Sequence, residues 1–336
     1  SSFGSRAATQ PSCTVRYSAI AMKAVFVAVH QLAKAFAAVQ RWPVLGRLLD
    51  VLTSTAVSFL RGGSGCWTAT GLERCRRPEK LLTLYEYEGC PYCRKVREAL
   101  SALDLDAEIR PCPKKSLKPS GVTGASRFRP EVTKLGLGLE LKFPVLVDEN
   151  TGVKIQMAES EKIVSYLWEI YGADAKPDLG YRLGRLLDFE PYMMLPLFLR
   201  PMLSHGMLRV PSKAPSQPLE LWSFEGSPFA RLVREALCVL ELPYVLRNVA
   251  HGSEAKRLSF REKWGTHLSS ARRASSKTTI QIPFLLDPNT GAELLGSAKI
   301  VKYLYATYQQ GPPLAETWRD FVRPSKEGPS VQLKKD

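Results

Sequence analysis

The sequence predicts an α/β protein built from two copies of one domain. The segment LLTLYEYEGCPYCRKVREAL at residues 81–100 aligns without a gap with PLELWSFEGSPFARLVREAL at residues 218–237. Further on, Phe143-Pro144-Val145 and Ile282-Pro283-Phe284 each precede an Asp-x-Asn-Thr-Gly turn and then a Lys-Ile-Val-x-Tyr-Leu segment. Self-similarity on this scale indicates two domains rather than a solenoid of small units.

Each copy begins with a strand and a helix. Residues 82–87 alternate between the two faces of an extended chain, which suits a strand covered on both sides. Pro91 is well placed in a first helical turn, and Val96, Leu100 and Leu103 then recur at helical spacing. Cys90 and Cys93 therefore lie at the N-terminus of a predicted amphipathic helix.

Each copy then ends with a hairpin and a closing helix. The apolar runs at 143–147 and 282–286 both end in a turn signal, so each is expected to form one arm of a hairpin. Alternation of strands with helices predicts layered α/β architecture.

With these motifs, each copy resembles a thioredoxin-fold domain, of glutaredoxin type at Cys90 and of glutathione-transferase N-terminal type around Pro144. The resemblance covers residues 81–171 and 218–308 and implies a cis Pro144. It also implies that the Phe143 backbone pairs with the cysteinyl part of glutathione. More narrowly, the tandem resembles plastid proteins of algae and plants with two such domains.

The resemblance also implies how the rest of glutathione would be held. The γ-glutamyl end is expected at Glu159 and Ser160, where Ser160 opens the last helix and a helix N-terminus favours a carboxylate. Tyr92, between the two thiols, is assigned to the same glutathione site. Glutathione is thus expected as a co-substrate, and no metal is expected.

The Cys90-Pro-Tyr-Cys93 motif has two interpretations. A zinc site needs about four ligands, and the remaining cysteines offer no second Cys-x-x-Cys pair. Redox chemistry is favoured: a helix dipole would stabilise a Cys90 thiolate, and Cys93 would resolve the mixed disulfide.

The charges before the motif depart from the glutaredoxin pattern. Glutaredoxins usually carry a lysine there, whereas this chain has Glu86 and Glu88, and a nearby carboxylate disfavours a thiolate. Arg94 and Lys95 are expected to compensate for these carboxylates. The sulfur is also expected to face a groove shaped for a tripeptide.

The second copy has lost these groups. Ser227-Pro-Phe-Ala230 replaces the cysteine motif, and Gly296-Ser297 replaces the Glu-Ser pair. Ser227 could steady a bound thiolate, but an N-cap role is the simpler interpretation. Cys112, after the second predicted strand, is interpreted as an inert lone cysteine, with an exposed thiol that accepts glutathione as the alternative.

The first 80 residues differ in composition from the rest. No Asp or Glu precedes Asp50, while basic residues are spread among Ala, Ser and Val, as in organelle import signals. We therefore expect the plastid, at the stroma or the stromal face of the thylakoid, with the mitochondrion as the alternative. The chain carries a net charge of +15, but no basic, aromatic-interleaved module points to nucleic acid.

We expect five segments: a basic leader with an amphipathic helical extension at 1–80, domain 1 at 81–172, a linker at 173–217, a degenerate domain 2 at 218–310 and a polar tail at 311–336. The apolar run at 192–199 within the linker is too short and proline-broken to span a bilayer. It is expected to bury itself between the domains, with a membrane surface or a partner as alternatives.

Three functions remain open. The first is a glutathione-dependent thiol–disulfide oxidoreductase that acts on a protein disulfide or a glutathionylated substrate through Cys90 and Cys93. The second is a noncatalytic adaptor subunit of a plastid membrane complex. A conjugating glutathione transferase ranks last, because the sequence after Tyr308 does not predict the helical domain that forms the acceptor pocket.

Overall fold

The computed structural model describes residues 43–113, 126–137, 142–152, 155–190, 192–196, 200, 206–268 and 280–310. The chain divides into two compact units, residues 1–48 and 49–336, and both predicted domains lie in the second. The part of the proposed leader before residue 43 and the tail at 311–336 lie outside the described residues.

The two copies have the same order of elements. After α1 (Pro43–Leu60), the first copy contains β1 (Leu82–Glu86), α2 (Pro91–Ala102), β2 (Ala107–Pro111), α3 (Arg129–Lys134), β3 (Val145–Asp148), β4 (Ile155–Ala158) and α4 (Ser160–Tyr171). After α5 (Leu179–Leu186), the second contains β5 (Leu219–Ser223), α6 (Pro228–Val239), β6 (Tyr244–Asn248), α7 (Glu254–Leu268), β7 (Phe284–Asp287), β8 (Ala292–Leu295) and α8 (Ser297–Tyr308). The predicted tandem α/β fold is confirmed.

One continuous sheet joins the copies in the order β4-β3-β1-β2-β6-β5-β7-β8. At its centre β2 and β6 pair antiparallel, with Ala107 opposite Leu246, Glu108 opposite Val245 and Ile109 opposite Tyr244. Because residues of the second copy are numbered 137 higher here, this register is symmetric about Glu108 and Val245. The two domains are thus related by an internal pseudo-twofold axis and share one sheet.

The apolar residues of the strands and helices form the core on the faces of the sheet. Leu82, Leu84, Leu100 and Leu103 are fully buried, as the strand and helix periodicities predict. Both hairpins close as expected, since Asp148 accepts hydrogen bonds from the Asn150 backbone and from the hydroxyl of Tyr171 in the closing helix. Asp287 makes the equivalent bonds in the second copy.

A group of buried ion pairs lies where the two copies meet. Arg97 of the first copy donates to Glu225 of the second at 2.9 Å and also pairs with Glu86. In return, Arg234 of the second copy pairs with Glu88 of the first at 3.1 Å and with Glu225 at 2.9 Å. Burial alone would raise the pKa of Glu225, but Arg234 and Arg97 outweigh it and lower the pKa to about 2.

The repeat extends further toward the N-terminus than the predicted domain boundaries imply. The sequence Leu-Gly-Arg-Leu-Leu-Asp occurs at 45–50 and again at 183–188, and Phe-Leu-Arg occurs at 59–61 and 198–200. The predicted helical extension and the predicted linker therefore each contain a copy of the same segment.

Corresponding residues of these two segments make corresponding bonds. Arg61 pairs with Glu98 of α2 at 2.7 Å and with Asp188 at 2.8 Å. Arg200 pairs in the same way with Glu235 of α6 and, at 2.9 Å, with Asp50. Residues 197–199 of the apolar run lie outside the described residues, and within its described part Met193 is buried while Leu195 is 42% exposed. Within the described chain, no helix is long and apolar enough to cross a bilayer.

Removing one carboxylate from the buried group should destabilise the chain strongly. We expect Glu225→Ala to lower the free energy of unfolding by about 3–5 kcal/mol, because two buried guanidinium groups each lose one of their carboxylate partners. The exposed Glu149, which lies 4.0 Å from Lys80, provides the control, and Glu149→Ala should cost below about 1 kcal/mol. Urea unfolding followed by circular dichroism measures both. Equal losses in the two variants would contradict this assignment.

Candidate functional site

The loop after β1 places Cys90 at the N-cap of α2. Cys90 has an extended backbone (φ −86°, ψ 122°), Pro91 begins the helix, and the Cys90 Sγ accepts a hydrogen bond from the Cys93 amide at 3.3 Å. A side chain that accepts from the third helical residue is the usual N-cap arrangement. The sulfur therefore lies at the helix N-terminus, as the sequence predicts.

Several donors converge on the Cys90 sulfur. Burial would raise the pKa of this thiol, but hydrogen bonds from Cys93, from the Tyr87 hydroxyl and from the Tyr92 backbone outweigh it and lower the pKa to about 7. Part of the Cys90 population is therefore a thiolate near neutral pH. The thiolate is the nucleophilic form of cysteine.

Cys93 has the opposite character. It is fully buried, and burial together with the adjacent Cys90 raises its pKa well above that of an ordinary thiol. At neutral pH Cys93 therefore keeps its proton, which it donates toward the Cys90 sulfur. This division between one ionised and one protonated thiol suits a nucleophile and a resolving partner.

The expected exposure of the Cys90 sulfur is wrong. Only 2% of Cys90 is accessible, so its sulfur does not face an open groove. Cys112 is fully buried, which agrees with its interpretation as an inert cysteine rather than with the exposed alternative. Cys112 lies in a small apolar cluster with Tyr85 and Val145, and burial raises the pKa of its thiol well above the usual value. Cys112 is therefore a core residue.

The start of β3 lies beside the Cys90 sulfur. The Phe143–Pro144 peptide bond is cis, as the resemblance implies, and the Phe143 carbonyl oxygen lies 4.0 Å from the Cys90 Sγ. Val145 pairs with Ala158 across the β3–β4 ladder, so Pro144 and Glu159 lie next to each other just beyond that pair. The fold therefore brings these predicted residues to one end of the sheet.

Glu159 and Ser160 occupy the start of α4. Glu159 has a positive φ of 76° at the N-cap position, its side chain is 56% exposed, and Lys162 lies 3.1 Å from its carboxylate. Ser160 is buried. The equivalent of Glu159 in the second copy is Gly296, with a φ of 89°. A glycine adopts this backbone conformation freely, whereas a glutamate there is strained.

Tyr92 is the most exposed residue of the motif. Its side chain is 38% accessible, and its hydroxyl donates to Glu190 at 2.5 Å. This hydrogen bond raises the pKa of Tyr92 above its usual value. Glu190 follows the repeated segment at 183–188, so the predicted linker contacts the motif of the first copy.

The expected compensation of Glu86 and Glu88 by Arg94 and Lys95 is also wrong. Arg94 lies nearest to Glu225, at 3.9 Å, and Lys95 pairs with Glu161 at 2.8 Å. Arg97 and Arg234 neutralise the two carboxylates instead. The sequence could not reveal this, because half of the compensating charge comes from the other copy.

Glu86 remains an opposing influence on the thiols. Burial, opposed by Arg97, raises the pKa of Glu86 to about 8. Because Arg97 pairs with this carboxyl group, Glu86 opposes the Cys90 thiolate less than an unpaired glutamate would.

The equivalent site in the second copy is covered by the chain itself. The Ser227 Oγ accepts from the Ala230 amide at 3.3 Å, which is an N-cap bond, and Ser227 is buried. From α1, Ser54 donates to the Pro228 carbonyl at 2.8 Å and Ser58 donates to the Gly226 carbonyl at 2.9 Å. The geometry matches the N-cap interpretation of Ser227.

Two residues of the site were missed by the sequence analysis. Arg97 looks like any basic residue on an amphipathic helix, and only its burial shows its role. Tyr87 had a signal in the alignment, because the second copy has Phe224 at the same place and so lacks the hydroxyl. Among the described residues, no group of three or more His, Cys, Asp or Glu side chains is arranged to hold a metal ion.

Comparison with known proteins agrees with this description. The family described as "Glutathione S-transferase, N-terminal domain" matches the chain twice, at residues 84–175 and 221–313. No curated protein and no solved structure matches the chain.

The positive φ at Glu159 should cost stability that the second copy avoids. We expect Glu159→Gly to raise the free energy of unfolding by about 1 kcal/mol relative to Glu159→Ala, because both variants lose the carboxylate and only glycine relieves the backbone. The free energies of unfolding of the two variants are measured by urea unfolding.

The second copy provides the reverse test of the same strain. A Cβ at Gly296 would have no heavy atom within 4 Å, so the cost of Gly296→Ala is conformational alone, and we expect a loss of about 1 kcal/mol. If the free energy of unfolding is the same with glycine as with alanine, both at residue 159 and at residue 296, the strain assigned to Glu159 is absent.

Proposed function

The chain belongs to the glutathione S-transferase N-terminal domain family, and on that premise we propose that its first domain is a glutathione-dependent thiol–disulfide oxidoreductase. The observation that carries the proposal is the Cys90 sulfur, held at a helix N-terminus by several donors with a pKa of about 7. A structural cysteine buried to this extent would have a raised pKa, as Cys112 and Cys238 do.

The reaction begins with the Cys90 thiolate. It attacks the glutathione sulfur of a mixed disulfide, the S–S bond breaks, and the substrate leaves as a thiolate that takes a proton from water. Cys90 is now joined to glutathione. A second glutathione thiolate then attacks the sulfur of the bound glutathione, which releases oxidised glutathione and restores the Cys90 thiolate.

Cys93 offers a second way to release glutathione. After losing its proton, the Cys93 sulfur attacks Cys90, glutathione leaves as a thiolate, and an internal disulfide forms between the two cysteines. Two further glutathione molecules would reduce that disulfide. The raised pKa of Cys93 makes this route slower at neutral pH than above it.

The family assigns the glutathione site to residues that the fold brings together. We propose that the backbone of Phe143, before cis-Pro144, pairs with the cysteinyl part, and that Glu159 and Ser160 hold the γ-glutamyl end. Tyr92, exposed beside the motif, would contact the same ligand. The strained backbone of Glu159 supports this role, because strain of this kind concentrates at functional sites.

The burial of Cys90 limits the substrates. With 2% of the residue accessible, a disulfide reaches the sulfur only when the atoms around it move. We therefore propose glutathionylated proteins and small mixed disulfides as substrates in preference to disulfides within a folded protein, since the glutathione arm is slender.

Substitution of the two cysteines tests this function. We expect Cys90→Ser to lose all reduction of a glutathione mixed disulfide, because a hydroxyl is not ionised at neutral pH. Cys93→Ser should keep activity through the route that needs only Cys90. Cys112→Ser, at a buried thiol outside the site, is the matched control. The measurement is glutathione-dependent turnover of a mixed-disulfide substrate, and Cys90→Ser turnover equal to that of Cys112→Ser would rule the function out.

A specific observation favours a second candidate, a noncatalytic adaptor. Both thiols are buried, the second motif is covered by α1, and the two domains share one sheet, which gives a stiff scaffold. Under this candidate the chain would be a subunit of a membrane complex at the stromal face of the plastid thylakoid. The acid-free residues before Asp50 support import into the plastid, with the mitochondrion as the alternative.

The adaptor candidate predicts that the chain travels with a large assembly. After gentle detergent treatment of the organelle, native electrophoresis should find it at high mass, and Cys90→Ser should migrate identically because docking needs no thiolate. A monomeric chain in the organelle would contradict this candidate while leaving the oxidoreductase intact.

A further inference from the structure

Tyr87 lies directly after β1 and faces the Cys90 sulfur. Its hydroxyl donates a hydrogen bond to the Cys90 Sγ. Its ring meets Phe143 edge-on, with ring centres 6.2 Å apart, and the Phe143 carbonyl oxygen lies 4.0 Å from the same sulfur. The Arg129 guanidinium lies over the Phe143 ring at 4.8 Å. Tyr87 is therefore fixed in place by the residue that precedes cis-Pro144.

The second copy preserves this backbone without the hydroxyl. The Cys90 amide donates to the Tyr87 carbonyl at 3.0 Å, and the Ser227 amide donates to the Phe224 carbonyl at 3.2 Å. The N-cap bonds of Cys90 and Ser227 are both 3.3 Å long. The loop therefore makes the same backbone hydrogen bonds with or without the hydroxyl at this position.

The chemically active groups have been lost together in the second copy. Where the first copy has Tyr87, Cys90, Cys93 and Glu159, the second has Phe224, Ser227, Ala230 and Gly296. The Tyr87 hydroxyl is present in the copy that has the thiols and absent from the copy that lacks them. The hydroxyl of Tyr87 is thus associated with the sulfur chemistry.

We propose that Tyr87 is a catalytic residue whose hydroxyl holds the Cys90 thiolate and takes over the role of the lysine that glutaredoxins carry before the motif. Burial and the neighbouring cysteines raise the pKa of Tyr87 itself, so the hydroxyl keeps its proton and acts as a donor. The donor is neutral, so no buried counter-charge has to be balanced.

Other charged and titratable groups also surround the sulfur. Glu86 at the end of β1 opposes the thiolate, and Arg97 pairs with that carboxylate rather than with the sulfur. Cys93 and the Tyr92 backbone on α2 donate hydrogen bonds to the sulfur. Arg129 on α3 acts on the Tyr87 hydroxyl, which it makes a stronger donor.

The hydroxyl would act twice in the reaction. It stabilises the Cys90 thiolate before attack, and it stabilises the same thiolate when a second glutathione expels it from the mixed disulfide. In both steps Tyr87 keeps its proton and only the S–S bond is exchanged. This second role rests on the proposed function, whereas the effect on ionisation does not.

The test is the ionisation of Cys90 in the full chain with Tyr87→Phe, the residue that the second copy has. The thiolate is followed by its ultraviolet absorbance against pH, as a difference from Cys90→Ser, and by the pH profile of iodoacetamide alkylation at Cys90. We expect the midpoint to rise by about one pH unit from about 7, which at pH 6 reduces the thiolate fraction about tenfold.

Tyr85→Phe is the matched control. The Tyr85 hydroxyl bonds to Glu131 and Arg110 and makes no bond to Cys90, so this variant should keep the original midpoint. An unchanged midpoint in Tyr87→Phe overturns the proposal. The pH midpoint of Cys90 ionisation does not depend on how fast the reagent reaches the sulfur. A change in the accessibility of Cys90 therefore cannot produce the same shift.

The second copy allows the reverse experiment. Ser227→Cys places a thiol at the covered motif, and adding Phe224→Tyr restores the hydroxyl. We expect the thiol to ionise at lower pH in the double variant than in Ser227→Cys alone, and equal midpoints would count against the tyrosine. The variants can shift the ionisation midpoint as expected while the chain reduces no mixed disulfide. That result would support Tyr87 as a hydrogen-bond donor and reject the oxidoreductase function. Failure of this proposal is therefore distinguishable from failure of the proposed function.

Discussion

The antiparallel pairing of β2 with β6 is the constraint on which the rest of the structure depends. It joins two domains of one family edge to edge and gives a single eight-stranded sheet. The pairing also turns the loops after β1 and β5 toward each other, so that Glu88 and Glu225 are taken out of water together. Buried carboxylates require partners, and Arg97 and Arg234 supply them across the axis.

This shared group means that the second copy contributes to the first even without thiols. Arg97 is held between Glu86, near the cysteines, and Glu225, in the other domain. The charge behind the Cys90 motif is therefore set by both halves of the chain. The second copy lacks the cysteines of the motif, but its Arg234 and Glu225 complete the ion pairs shared with the first copy.

The sequence predicted the repeated elements well because they depend on local patterns. Strand alternation, the N-terminal Pro91 and the Asn-Thr-Gly turns each leave a signature, and the aligned repeat doubled every signal. The N-cap position of Cys90 followed from the same reasoning. The repeated Leu-Gly-Arg-Leu-Leu-Asp at 45–50 and 183–188 was equally visible and was missed, because differing flanks made one segment resemble a leader and the other a linker.

The remaining features depend on contacts between distant residues. Neither the burial of Cys90 nor the pairing of Glu88 with Arg234 can be derived from spacing along the chain, since both arise where separate segments meet. The role of Tyr87 required the position of its hydroxyl. Charge patterns near a motif thus predicted the wrong partners, while hydrophobic periodicity predicted the right fold.

The central claim is that one sulfur, that of Cys90, is chemically distinct from every other thiol described in the chain. The most direct test is to expose the native protein to oxidised glutathione near pH 7 and to map the modified cysteines by mass spectrometry over time. We expect Cys90 to react first, as a glutathione adduct or as a disulfide with Cys93, before Cys66, Cys75, Cys112 or Cys238. Modification of Cys75 while Cys90 stays unchanged would contradict it.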